Sequence, residues 1–282
     1  MSKRKYFIDA NKFINVQTPE AAYILGLIWA DGTLGAKYSV TLTCVKEDLE
    51  VIKPVFETIG SWGYFYRTPR GYKNQKEQLT IYNSNKDLYN YLEECGYGRK
   101  SWCSANLILD KIPNNLRKYW WRGYSDGDGC FYTTKFYQFF ITSGIGQDWS
   151  FMVDLSNELG VNYKILQKTV KAGSYSRFML TGIKNLLAFG SYIYDTYKTD
   201  KIGFYRKFKK YQEVVEWKEN KKYQEYQSVH KIKDPRYKIK KWCARFKNNK
   251  IDYFLGYFEE KQDAINAVLQ KKLDIGLIKK VE

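Results

Sequence analysis

The stretch Ala22-Tyr-Ile-Leu-Gly-Leu-Ile-Trp-Ala-Asp-Gly32 decides how this chain is read. Thr18 supplies an N-cap, Pro19 suits the first helical position and Glu20 complements the positive end of the dipole, so a helix over 18–31 is predicted. Ala22, Gly26 and Ala30 recur every fourth residue and form one smooth face, which lets a second helix approach at backbone distance. A copy lies further on, at Tyr119-Trp-Trp-Arg-Gly-Tyr-Ser-Asp-Gly-Asp-Gly129. Gly26 aligns with Gly123, Asp31 with Asp128 and Gly32 with Gly129 at a constant offset of 97. Gly123 and Gly127 continue the small-residue face, and Asn114 or Asn115 is the expected cap. Gly32 and Gly129 read as left-handed stops. Asp126 falls opposite Trp29 at the same offset, so it has no symmetric partner and reads as structural or as a support behind the two aligned acids.

The two acids are poorly placed for stability. A carboxylate in the last turn faces the negative end of the dipole, at a cost of up to about 1 kcal/mol. If the helices cross there, two carboxylates and two negative helix ends share one place, and both acids stay ionised only if a cation is supplied. Hard carboxylate oxygens suit Mg2+. One Asp-Gly after an apolar helix is an ordinary turn; two in matched repeats are not.

"ILGLIWADG" and "WRGYSDGDG" resemble the paired motifs of the single-chain LAGLIDADG homing endonucleases, and the resemblance covers about residues 6 to 212. It implies that the motif helices form the interface between repeats and that Asp31 and Asp128 bind the catalytic divalent ions. These would be Mg2+ or Mn2+, two or three ions shared between two sites. Gly98-Arg-Lys-Ser101 and Tyr205-Arg-Lys-Phe-Lys-Lys-Tyr211 resemble the places where family members carry a basic residue near the scissile phosphate. That maps to Lys100 and Lys207, which would stabilise charge on the phosphorane or activate water.

The rest of the chain fits a duplication. Repeat one reads helix 18–31, strand 33–45, helix 47–60, a strand pair 62–82 and helix 85–96; repeat two reads 130–142, 148–159, 162–181 and 183–195 after its motif helix. Asp48 is echoed by Asp148, and Asn85-Lys-Asp-Leu88 by Ile183-Lys-Asn-Leu186. The fold class is α+β: two pseudo-symmetric αββαββα repeats forming a DNA-binding saddle, plus a small C-terminal ββ(β)α domain. The boundaries are a leader at 1–17, repeats at 18–115 and 116–217, a linker at 218–235 and an accessory domain at 236–282. In the leader, Phe7, Phe13 and Ile14 are expected to pack back on the core, and Lys3, Arg4 and Lys5 to reach phosphate.

Alternation in Tyr38-Ser-Val-Thr-Leu-Thr-Cys44 gives a sheet with one apolar and one polar face. A two-stranded ribbon fits the major groove, where polar side chains reach base edges. In repeat one the expected contacts are Lys37, Ser39, Thr41 and Thr43, then Tyr66 and Arg67, with Arg70, Lys73 and Lys76 around a hairpin turn at 70–74. In repeat two they are Thr134, Lys135, Tyr137 and Gln138, then Lys164, Gln167, Lys168 and Arg177.

The tail carries Trp242-x-x-Arg245, Leu255-Gly-Tyr-Phe258 and Ala264, with Ala267 and Val268 also expected inward. It resembles the three-strand-plus-helix DNA-binding domain of ethylene-response factors and phage integrases. Lys238, Lys240, Arg245 and Lys247 are its expected contacts. Residues 218–282 hold 17 Lys and Arg against 9 acids, about three times the excess charge per residue of the rest.

Composition bounds the function. Of 282 residues 44% are hydrophobic and 18% aromatic, which is a globular balance. The net charge is +17, from 47 Lys and Arg against 30 acids, and it points to a polyanion, nucleic acid before membrane. No run of about 18 apolar residues occurs, so a soluble, unsecreted protein is expected, in the cytoplasm of a phage or bacterial host or in an organelle. The five cysteines form no C-x-x-C pair, and a lone His230 excludes histidine-based metal cages. The reading is a monomeric, metal-dependent double-strand DNA endonuclease, encoded by a mobile element such as an intron or phage gene. The alternatives on the same fold are an RNA maturase that binds its intron and a DNA-binding regulator that does not cut.

Overall fold

Thr18 opens the central helix: its side chain accepts the Ala21 N–H at 3.3 Å, and Pro19 follows at the first position. In the computed structural model, the described residues are 6–67, 76–133, 137–170, 173–225, 229–232, 234, 239, 242–248 and 251–277. They divide into two units, Met1–Val214 and Val215–Glu282.

The chain order is α1 (Asn11–Ile14), α2 (Pro19–Asp31), β1 (Gly32–Gly35), β2 (Ser39–Val45), α3 (Lys46–Glu57), β3 (Gly63–Arg67), β4 (Gln78–Ser84), α4 (Lys86–Glu94), α5 (Asn106–Leu109), α6 (Asn114–Gly127), β5 (Cys130–Tyr132), β6 (Gln138–Gly144), α7 (Ser150–Glu158), β7 (Tyr163–Val170), β8 (Gly173–Thr181), α8 (Ile183–Tyr194), α9 (Tyr197–Asp200), α10 (Tyr205–Glu225), β9 (Val229–Lys231), β10 (Trp242–Asn248), β11 (Ile251–Phe258) and α11 (Lys261–Asp274). The fold is α+β. The first unit holds αββαββα twice, α2 to α4 and α6 to α8. Its antiparallel sheets have the same strand order, β1-β2-β4-β3 and β5-β6-β8-β7.

α2 and α6 pack on each other along their small residues. A Cβ on Gly26 would overlap the Trp120 carbonyl, one on Gly123 would overlap the Tyr23 carbonyl, and one on Gly127 would overlap Ala30. Ala22 is fully buried and Ala30 is 8% exposed in the same region of core. α2 is buried from Ala21 to Ala30, so the helix is covered all round.

Each sheet turns one face to the helices. Val40, Leu42, Leu79 and Ile81 are buried there in the first sheet, and Phe139, Ile141, Phe178 and Leu180 in the second. The opposite face carries Ser39, Thr41, Thr43 and Arg67 in the first sheet and Gln138, Lys164, Lys168 and Arg177 in the second. Strand parity corrects three sequence expectations. Tyr66 lies opposite Leu79 and Gln167 opposite Ser176, so both point away from the Thr41 and Arg177 faces, and Tyr137 packs against the core.

Other differences have plain causes. Gly32 leaves α2 at φ −73° and runs straight into β1, and Gly129 has no positive φ either. Both are needed for space: a Cβ would lie 2.5 Å from the Ile28 carbonyl oxygen at Gly32 and 2.5 Å from that of Ser125 at Gly129. Pro113, not an asparagine, precedes α6, and no side chain caps it. Phe13 is fully buried, whereas Phe7 is 69% exposed because Ile8 takes the inward place in the bridge to Gly60. The hairpin turn at 70–74 and Lys3, Arg4, Lys5, Arg70, Lys73, Thr134, Lys135, Lys238 and Lys240 lie outside the described residues.

In the second unit β9, β10 and β11 form an antiparallel sheet in the order β11-β10-β9. α11 covers it through Ala264 and Val268, both fully buried, while Ala267 is half-buried. The third strand, Val229–Lys231, comes from the stretch read as linker, and α10 is helical to Glu225.

Gly123→Ala is expected to lower the unfolding free energy in urea by about 3 kcal/mol or more, because backbone rather than a side chain must move. Gly144→Ala, where an added Cβ meets nothing nearer than 4.0 Å, should change it by less than about 1 kcal/mol.

Candidate active site

Asp31 is the last residue of α2, and Asp128 is the C-cap of α6. The close packing of the two helices brings their C-terminal ends together: a Cβ on Gly127, next to Asp128, would lie 3.0 Å from Asp31 Oδ2. Both acids reach solvent, yet the crowded seam strips enough water to matter. Desolvation raises the Asp31 carboxyl, against the pull of Lys100, Lys207 and Arg206. Asp128 is pushed up to about 7, by desolvation first and then by the Asp31 charge.

The two lysines close the same seam. Lys100 Nζ donates to the carbonyls of Ala30 (2.6 Å), Gly32 (2.7 Å) and Ile28 (3.3 Å), the end of α2 and the start of β1. Lys207 Nζ donates to the Gly129 carbonyl, which corresponds to that of Gly32 at the repeat offset. A cation at a helix C-terminus offsets the unpaired carbonyls and the negative dipole end. Desolvation lowers Lys100 to about 8, opposed by Asp128 and Asp31, and it also lowers Lys207. Asp31, Asp128, Lys100 and Lys207 are thus brought together.

Sequence reading missed what holds them. Arg206 Nε donates to both oxygens of Asp48, at 2.8 and 2.9 Å, and its Nη2 lies 2.7 Å from Oδ2. This pair joins α10 to α3 of the other repeat. Asp126 is fully buried and accepts from Tyr194 OH (2.6 Å), the Phe204 N–H (2.8 Å) and Tyr23 OH (3.0 Å). Arg122, also fully buried, donates to the Ile193 and Ile202 carbonyls, Thr196 and Asp200. These ties fix residues 193–204, from which α10 and Lys207 start. The repeated Arg-Lys pair, Arg99-Lys100 and Arg206-Lys207, was the available signal.

Of the remaining expected residues, those described lie on or beside the two sheets or in the second unit. Lys37 sits in a tight turn between β1 and β2 at φ 57°, and the next residue, Tyr38, is at φ 58°. Thr43 shares a hydrogen bond with Thr80 at 2.8 Å. Lys76 pairs with Glu47 at 3.5 Å, and Lys46 lies over the ring of Tyr66. Arg177 donates to Thr142 at 2.9 Å and stacks on Phe140. In the second unit Arg245 is held by Asp252, and Lys247 is exposed.

No family model matches the chain, and no curated protein matches it. Solved structures do. A point mutant of I-SmaMI is similar at 14% identity and a TM-score of 0.43, covering 75% of this chain and 93% of that one. I-DmoI, in complex with its nicked target DNA and in the presence of manganese, is similar at 19% identity and a TM-score of 0.42, covering 63% and 96%. Full-length DUF199/WhiA from Thermatoga maritima is similar at 14% identity and a TM-score of 0.43, covering 78% and 71%. I-SmaMI and I-DmoI are LAGLIDADG homing endonucleases.

Asp126→Ala would leave two buried phenol hydroxyls and a buried N–H without an acceptor. It is expected to destabilise the protein by roughly 3 kcal/mol in urea or thermal unfolding.

Proposed function

We propose that the chain is a site-specific double-strand DNA endonuclease of the LAGLIDADG kind, acting with a divalent metal ion. The observation that carries this reading is the meeting of Asp31 and Asp128 at the seam of the two repeats, with Lys100 and Lys207 on either side. The described residues offer no cluster of three or more His, Cys, Asp or Glu. The donor set therefore fits a hard cation that keeps waters and takes phosphate oxygens as its other ligands, held by one or two carboxylates. Asp31 and Asp128 would hold it. Bound there, Mg2+ or Mn2+ would lower the pKa of a water and neutralise charge on the leaving 3′ oxygen.

The protein's own groups do the rest. The carboxylates sit where two helix ends leave excess negative charge, and the lysines keep that charge tolerable. The helix-free sheet faces, with Thr41, Thr43 and Arg67 on one and Gln138, Lys164, Lys168 and Arg177 on the other, would lie along the duplex. The basic second unit would add phosphate contacts, Lys247 among them.

The test is a plasmid carrying the sequence that flanks the protein's own gene, incubated with Mg2+ or with EDTA. Metal-dependent linearisation at one place is expected. Binding without cutting would favour a regulator, and tight binding of intron RNA a maturase. Asp31→Asn and Asp128→Asn should each reduce cutting of at least one strand by about a hundredfold or more, with DNA affinity within about threefold of the parent. Removing residues 226–282, so that β9 leaves with its sheet, should weaken DNA binding and flatten its salt dependence by about one unit of slope for each phosphate no longer neutralised.

A further inference from the structure

The two halves of the seam are alike in backbone and unlike in charge. Arg99-Lys100 and Arg206-Lys207 follow the last long helix of each repeat, at an offset of 107. An ammonium has three N–H donors. Lys100 points all three at the carbonyls of Ile28, Ala30 and Gly32. Lys207 reaches only the Gly129 carbonyl among the described residues, which leaves two donors.

The arginines differ in the opposite sense. Arg206 is clamped on Asp48, whose side chain is 7% exposed. Arg99 is exposed and makes no ion pair or side-chain hydrogen bond among the described residues. The acid that would match Asp48 is Asp148, and its carboxylate accepts the Ser150 N–H at 2.8 Å, at the start of α7. Arg99 instead lines an open cleft of about 320 Å3 with Gly32, which follows Asp31 in the chain, and with Thr33, Lys100, Trp102 and one acid, Glu93. Trp102 is 66% exposed there.

We propose that the two Arg-Lys pairs do exchanged jobs. Lys100 and Arg206 are structural ties; Arg99 and Lys207 are the cations that face the phosphates, one for each strand. This rests on the nuclease reading for its substrate but not for all of its readouts. In one half a lysine with two spare donors meets the phosphate. In the other half the lysine is spent on the helix end and the neighbouring guanidinium meets the phosphate, with a planar fork that matches two of its oxygens.

Four variants of the full chain test it: Arg99→Ala, Lys100→Met, Arg206→Ala and Lys207→Met. Lys100→Met and Arg206→Ala should lower the melting temperature by about 4 °C or more, and Arg99→Ala and Lys207→Met by clearly less. On a random-sequence duplex, Arg99→Ala and Lys207→Met should each lower the salt slope of binding by about one, with no such change for the other two. On the flanking-sequence plasmid, Arg99→Ala and Lys207→Met should each slow one strand at least about tenfold, and the slowed strands should be opposite.

An unfolded Lys100 or Arg206 variant is the extreme of the expected loss, and the decision then falls on the other two. The proposal is overturned if Arg99→Ala leaves both salt slope and strand rates unchanged. It is equally overturned if Lys100→Met melts like the parent, or if the two slowed strands are the same. A parent protein that cuts no DNA would sink the nuclease reading alone, because melting and salt slope still decide the exchange.

Discussion

The structure depends on a contact between two backbones. At Gly26 and Gly123 there is no room for even one carbon between α2 and α6. Close approach along the whole interface brings both helices to their C-termini side by side. Their unpaired carbonyls and the partial negative charge of both dipoles then fall in one place. Adding Asp31 and Asp128 makes the place more negative still, and desolvation first, then the Asp31 charge, pushes the Asp128 carboxyl up to about 7. Two lysines drawn in from distant parts of the chain answer that charge. The site is therefore a consequence of packing: small residues set the distance, the distance sets the potential, and the potential selects what can bind.

Positioning comes from polar groups buried where apolar ones would have been simpler. Asp126 and Arg122 sit one turn apart on α6, both fully buried and well supplied with partners. Neither touches the seam acids. They bind α6 to α2, α8 and the turn before α10, and the Gly203 backbone, at φ 133°, passes close beside Asp126. Breaking one partner of such a network leaves the others desolvated and unpaired, so the geometry is held at high energetic stakes. The Arg206–Asp48 pair does the corresponding work between the repeats at the rim.

The long helices, the second strand pair of each repeat, the duplication and the matched places of Asp31 and Asp128 were legible in the sequence, because each rests on local pattern or on a repeated one, whereas Lys100 and Lys207 were placed beside them by the family resemblance. Three things were not legible. The glycines after the acids read as left-handed turns, since the sequence shows a glycine but not whether it answers a dihedral or a neighbour; here Ile28 and Ser125 are the reason. The facing of Tyr66 was hidden because β3 carries exposed aromatic residues at both parities, Phe65 and Tyr66, and that of Gln167 because β7 is exposed along its whole length with apolar residues at both parities, Ile165 and Leu166 among them. Register is then fixed by the partner strand, which a single strand's pattern does not contain. The Arg206–Asp48 pair spans 158 residues, so only folding could reveal it, although the echo of Asp48 in Asp148 was visible.

That echo carries the last step. Two identical subunits around a twofold axis must treat corresponding residues alike. One chain with two repeats need not, and here it does not: Asp48 is clamped by Arg206 while Asp148 accepts a local backbone N–H, and Lys100 binds three carbonyls where Lys207 binds one. The packing that cannot vary, at Gly26 and Gly123, has kept its symmetry. The charges around it, which are held by side-chain partners and not by backbone contact, differ between the two halves. If a duplex lies against this surface, as proposed, it meets two unlike halves among the described residues, and its own two halves need not match.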